Sequence, residues 1–134
     1  MSGGPQIEFL DVDDDIELQT DQVATFGGVD GVQRMELLES AVAMPQQGFF
    51  GKYAHAFPFE MAAAYLYHLA RNQAFHDGNK RVGAQAAIVF LRMNGWELEA
   101  DPDDFADLTL AVVAAKRDKP EVAAWLEQRC QPMK

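Results

Sequence analysis

A single cysteine, Cys130, stands among the 134 residues, so no intrachain disulfide can form. Small secreted domains usually carry several cysteines in even number, and this scarcity points to a reducing cytoplasm. Long apolar runs are missing as well, since no stretch approaches the ~18 consecutive apolar residues of a membrane span. The opening segment MSGGPQIEFLDVDDD has neither a basic n-region nor an apolar h-region, so secretion and membrane insertion are disfavoured. Bases are few: 11 Lys+Arg against 21 Asp+Glu leave a formal charge of −10, which repels a nucleic-acid backbone. The expectation is a cytoplasmic protein with no nucleic-acid partner and no membrane contact.

What is present is a balance of 49% hydrophobic and 24% charged residues, which describes one domain over residues 1–134 with its core at about 10–126. The charges are unevenly spread. Residues 1–30 hold eight acids and no base, and residues 97–107 hold six acids and no base. Residues 61–96 hold Arg71, Lys80, Arg81 and Arg92 with only Asp77 opposing them. That cationic island suits a phosphate-bearing ligand, or reflects ordinary bases at helix ends.

Helical periodicity runs through most of the chain. Asp11 and the acidic first turn after it predict a helix over 12–25, closed by Gly27-Gly28. Val32, Met35, Leu38, Ala41 and Val42 predict a second, ending at Met44-Pro45. From Gln46 to Pro58 the period fails, and two glycines with several aromatics predict an irregular or hairpin flap beside the site. Phe49, Phe50, Tyr53 and Phe57 there either cover the core or grip a partner. Residues 59–71 and 80–94 are apolar nearly all round and predict two buried central helices. Trp96–Glu99 alternates like a short strand, Asp101-Pro102 opens a helix to about Ala115, and Pro120 opens the last. The fold expected is all-α, about six helices with a short flap.

Between the two buried helices lies NQAFHDGNKR, Asn72 to Arg81, which is almost wholly polar. Two readings fit. Asp-Gly-Asn supplies ordinary turn chemistry between helices. Alternatively, backbone N–H groups at a helix start, with a glycine allowing close approach, form an anion-binding nest. Lys80 and Arg81 oppose the dipole preference, which places acids at that end, and an anion between them would account for it. Asp77 could hold a Mg²⁺ ion bridging phosphate oxygens.

Gln73-Ala74-Phe75-His76-Asp77-Gly78-Asn79-Lys80-Arg81 resembles the signature loop of the Fic/Doc family, whose pattern is H-x-F-x-[D/E]-[G/A]-N-[G/K]-R. Phe26–Gly28 (FGG), Leu37–Ala41 (LLESA), His68–Asn72 (HLARN) and Phe90–Gly95 (FLRMNG) are similar to the death-on-curing toxin branch in order and spacing. The resemblance implies an all-α fold and transfer of a phosphate-containing group from ATP, with Mg²⁺, to a hydroxyl of a target protein. It implies Asp77 on the metal, Gly78, Asn79, Lys80 and Arg81 on the phosphates, and Phe75 anchoring the loop. Phe49, Phe50 and Tyr53 become candidates for a partner surface. An antitoxin-like protein is the partner implied, and a translation elongation factor the target. Lys80, where nucleotidyl-transferring relatives have glycine, resembles the phosphorylating branch, and Ala84 stands where those relatives carry a second arginine.

One position departs from the pattern. The family's first motif residue is a histidine acting as general base, and Gln73 stands there. An amide lacks basicity at neutral pH, so a proton-transfer contribution of about 10²–10⁴ in rate should be lost, while nucleotide binding need not be. Gln19 and Gln33 depart too, from a usual histidine and arginine. His76 occupies a variable motif position, His68 reads as a core histidine and His55 belongs to the flap. The resulting expectations are an impaired transferase or a catalytically silent relative that binds nucleotide or protein.

Overall fold

The computed structural model describes residues 6–134. In chain order its elements are α1 (Val12–Phe26), α2 (Met35–Ala43), a hairpin of β1 (Gly48–Phe49) and β2 (Lys52–Tyr53), α3 (Phe59–Asn72), α4 (Asn79–Met93), β3 (Trp96–Leu98), α5 (Pro102–Val113), α6 (Lys119–Arg129) and β4 (Cys130–Pro132). Alanine, leucine and methionine lose little side-chain freedom in a helix, and α3 buries every residue from Met61 to Leu66 together with Leu69 and Ala70. α4 lies against it through Gly83, where an added Cβ would sit 2.9 Å from both Ala70 N and Leu66 O. Only glycine permits that approach, and larger residues would force the axes apart. The other helices surround this pair: α1 packs on α4, α2 and α6 on α3, and α5 on both. The fold is therefore all-α, and among the described residues no helix is long and apolar enough to cross a membrane.

The helix starts follow capping chemistry. Asp11 with Asp14, and Asp118 with Glu121, form reciprocal capping boxes, and Asp101 accepts from the amides of Asp103 and Asp104 ahead of α5. The start of α2 differs from the sequence expectation. Val32 lies outside α2 and forms an isolated bridge with Phe75, because the chain there is taken up by the loop after α3. α2 does end before Met44-Pro45, as expected, and Pro45 sits in a 3₁₀ turn, Met44–Gln46, where a proline in the first turn loses no hydrogen bond. The strand expected at Trp96 exists, paired antiparallel with β4, Trp96 opposite Pro132 and Leu98 opposite Cys130. Phe50 and Gly51 both have positive φ, 52° and 75°, the geometry of a two-residue hairpin turn of type I′.

α1 carries two buried polar residues one turn apart, Asp15 and Gln19. Neither carboxylate oxygen of Asp15 has a hydrogen-bond partner among the described residues. Burial, and then the charges of Asp14 and Asp11, raise its pKa from 3.8 to about 7. The folded state thus holds a proton that the unfolded chain releases, and stability from this group is lost as pH rises between those two values. Asp15→Asn removes the titration. In thermal melts, the Tm of the variant relative to the parent should rise from about pH 4 to about pH 7 and then level. A difference independent of pH over that range would contradict the assignment.

Candidate phosphate-binding site

α3 ends at Gln73, an exposed residue in left-handed geometry with φ 52° and ψ 45°. The next two residues turn inward, Ala74 and Phe75 each about 1% exposed. The chain after α1 then closes on this loop: the amides of Gln33 and Arg34 donate to Ala74 O at 2.8 and 2.9 Å, and His76 N donates to Gly31 O at 3.1 Å. Asn79 completes the loop from within. Its Oδ1 accepts from Phe75 N and its Nδ2 donates to Phe75 O, both at 3.0 Å. Expected among the phosphate ligands, Asn79 here spends its carboxamide on the loop's own shape.

Asp77 is held at its side chain by Val29 N, which donates to Oδ2 at 2.7 Å. Gly28 makes room for this: at φ 113°, an added Cβ would lie 3.0 Å from Asp77 Cβ. Gly78 follows as the N-cap of α4, at φ 80° and ψ 11°, and no side chain caps the helix. The first amides of a helix have no intrahelical acceptor, so those of Asn79, Lys80 and Arg81 are offered outward. A Cβ at Gly78 would meet nothing within 4 Å, so the approach is open. Helix N-termini of this kind attract anions through both the free donors and the dipole.

These groups rim a cleft of about 760 Å³. Asp77, Lys80 and Arg81 are its charged lining residues, so in a protein of formal charge −10 this concavity carries more positive than negative groups. The Arg81 guanidinium lies 4.3 Å over the Phe26 ring, a cation–π contact that parks the charge at the cleft edge. The floor is apolar, built from Ala84 and Ile88 of α4 and from Ala106, Leu110 and Val113 of α5. Gln22 and Gln85 add carboxamides to the wall. Apart from Ala84, the sequence reading missed these helical wall residues. Their signal was that apolar residues of α5 occupy two faces, Phe105, Leu108 and Val112 facing the core and Leu110 remaining 52% exposed.

The histidines divide. His76 is exposed and lines the cleft beside Gln73. His55 and His68 lie elsewhere, their Nε2 atoms 3.2 and 3.1 Å from Lys119 Nζ. Burial, and then the charge of Lys119, depress the pKa of His68 to about 4, and the same causes lower that of His55. Both imidazoles are therefore neutral at pH 7 and accept from the ammonium. The flap also differs from expectation in two ways. Its residues do not line the cleft, and of its aromatics only Phe57 packs on the core, against Phe90, while Phe49 is 76% and Phe50 92% exposed. The tight turn points those two rings outward and packs them on each other, while Tyr53, half exposed, leans on Phe9.

Residues 9–91 match the Fic/DOC family. The chain is 40% identical over 121 residues to Toxin Doc of Mycolicibacterium smegmatis, an alignment spanning 89% of this chain and 91% of that protein. It is 37% identical over 70 residues to Protein kinase doc of Escherichia phage P1, spanning 52% of this chain and 55% of the phage protein. The family match takes in α1 through most of α4, with the whole loop between the two central helices, and this chain belongs to the Fic/DOC family.

Proposed function

We propose that the chain is a Doc-like toxin domain whose Asp77–Arg81 loop takes the phosphates of ATP. The transfer supported is of a phosphoryl rather than a nucleotidyl group, to a hydroxyl of a target protein such as a translation elongation factor. The observation that carries this reading is the uncapped N-terminus of α4, opened by Gly78 and flanked by Lys80 and Arg81 at the mouth of the cleft. Gly78 lets a phosphate reach the amides of Asn79, Lys80 and Arg81, the two cations neutralise it, and the apolar floor on α4 and α5 has room for the nucleoside. Kinship with a protein named as a toxin and another named as a protein kinase supports the chemistry and an antitoxin-like partner, and the setting proposed with them is cytoplasmic.

The residues present fit a Mg²⁺ ion in one manner only. Among the described residues no group of three or more His, Cys, Asp or Glu converges, so Asp77 would be the lone carboxylate and phosphate oxygens and water would complete the shell. That is ordinary Mg²⁺ behaviour at nucleotide sites. One oxygen of Asp77 already accepts from Val29 N, which fixes the direction of the other. When bound, the ion would neutralise phosphate charge.

In the reaction, the target's hydroxyl oxygen would bond to the γ-phosphorus as the bridging P–O bond to ADP breaks, and the hydroxyl proton must leave. Gln73, at the position where the family pattern has histidine, has no basicity to take it. This favours an impaired enzyme. It also gives the second reading its support, that of a silent relative retained to bind nucleotide or protein.

Calorimetric titration with ATP and Mg²⁺ should show binding to the parent protein, and Lys80→Ala with Arg81→Ala should weaken it by roughly 1.5–3 kcal/mol per lost charge-assisted bond. No heat up to millimolar ATP from a folded sample would remove the nucleotide site. Gln73→His should restore label transfer from γ-labelled ATP to a protein in a bacterial extract. A revertant that folds, binds ATP and labels nothing would favour the silent relative.

A further inference from the structure

We propose that Gln19 is the positioning residue of this loop, a buried carboxamide that sets the direction of the anion-binding amides without entering the cleft. The proposal rests on the nucleotide reading above only for its ligand. Gln19 is 0% exposed and is absent from the cleft wall. Its Nε2 donates to Val29 O at 3.2 Å and to Asp77 O at 3.1 Å, and its Oε1 accepts from Gly31 N at 3.1 Å. With Val29 N donating to Asp77 Oδ2, Gln19, Val29 and Asp77 form a closed triangle. Three chain segments meet in it: α1, the turn after α1, and the loop ahead of α4.

The consequence for the site follows from the peptide plane. Asp77 C=O and Gly78 N–H belong to one planar trans unit and point in opposite directions. A carbonyl held toward α1 by Gln19 therefore turns the Gly78 N–H away from α1 and fixes where the amides of Asn79 to Arg81 begin. A carboxamide suits this place for a countable reason. It offers two donor hydrogens and an acceptor, all used here, whereas a neutral imidazole offers one of each. Gln19, which the family pattern marks as a departure from histidine, makes one bond more than histidine can. The missing bond would leave a buried backbone group unpaired, which is costly.

The test compares Gln19→His, which keeps at most two of the bonds, and Gln19→Leu, which keeps none at similar volume. Gly28→Ala serves as a second route, since its Cβ would crowd Asp77 from the other side. Without ligand, amide hydrogen exchange is read at Val29 and His76, whose acceptors are Asp77 Oδ2 and Gly31 O and not Gln19 itself. Exchange at both should quicken roughly tenfold in the leucine variant, with the amides of α3 unchanged. With ATP and Mg²⁺, affinity should fall in the order Gln, His, Leu, the last weaker by about tenfold. If the leucine variant does not fold, the histidine and Gly28→Ala variants must show the same two effects. Exchange at Val29 and His76 and ATP affinity within twofold of the parent would overturn the proposal. Should the parent bind no ATP, the nucleotide reading fails separately, and the exchange measurement alone decides the role of Gln19.

Discussion

The closure of the turn after α1 on the loop after α3 is the interaction on which the site depends. Three backbone donations, from Gln33, Arg34 and His76, and the Val29 contact to Asp77 join segments far apart in sequence. Each end has its own anchor: Phe75 is sunk in the core and Gly28 is small enough to let Asp77 approach. Because both ends are fixed, the segment from Gln73 to Gly78 is a shaped rim and not a loose connection. The close approach of α3 and α4 at Gly83 sets how far apart its ends stand.

Electrostatics then explains why such a rim would hold an anion. A helix N-terminus favours negative charge, yet α4 begins with Lys80 and Arg81 and has no acid in its first turn. Every other described α-helix has an acid in its first turn, with Asp13, Asp14 and Asp15 opening α1 and Asp103 and Asp104 opening α5. An α-helix that alone among those described lacks an acid in its first turn, at a glycine N-cap facing a cleft, is an arrangement whose cations and amides a phosphate would satisfy together. Parking Arg81 on Phe26 stabilises the charge in the meantime at low cost.

The helices and the loop were legible in the sequence because their signals are local. Asp11 and Asp101 mark caps, Pro120 marks the first turn of the last helix, and the alanine-rich run of α3 marks a buried helix. What escaped depends on contacts distant along the chain. Val32 has a helical partner pattern on paper, but the bridge to Phe75 claims it. β3 had no visible partner because Cys130–Pro132 reads as a tail. The carboxamide of Asn79 closing on Phe75 is likewise visible only in the fold. Gln19 reads only as a departure from histidine, because its three hydrogen bonds reach residues distant along the chain. The exposure of Phe49 and Phe50 follows from positive φ at a non-glycine residue, which composition does not announce.

The central claim is that the α4 N-terminus and its apolar floor form one nucleotide site. Two-dimensional amide and methyl NMR of the intact chain during titration with a non-hydrolysable ATP analogue and Mg²⁺ tests it most directly. The account predicts saturable shifts at the amides of Gly78 to Val82 and at the methyls of Ile88 and Leu110, with the Gly48–Tyr53 hairpin unmoved. Shifts confined to the hairpin or to α6, with the loop amides unchanged at saturating ligand, would contradict it.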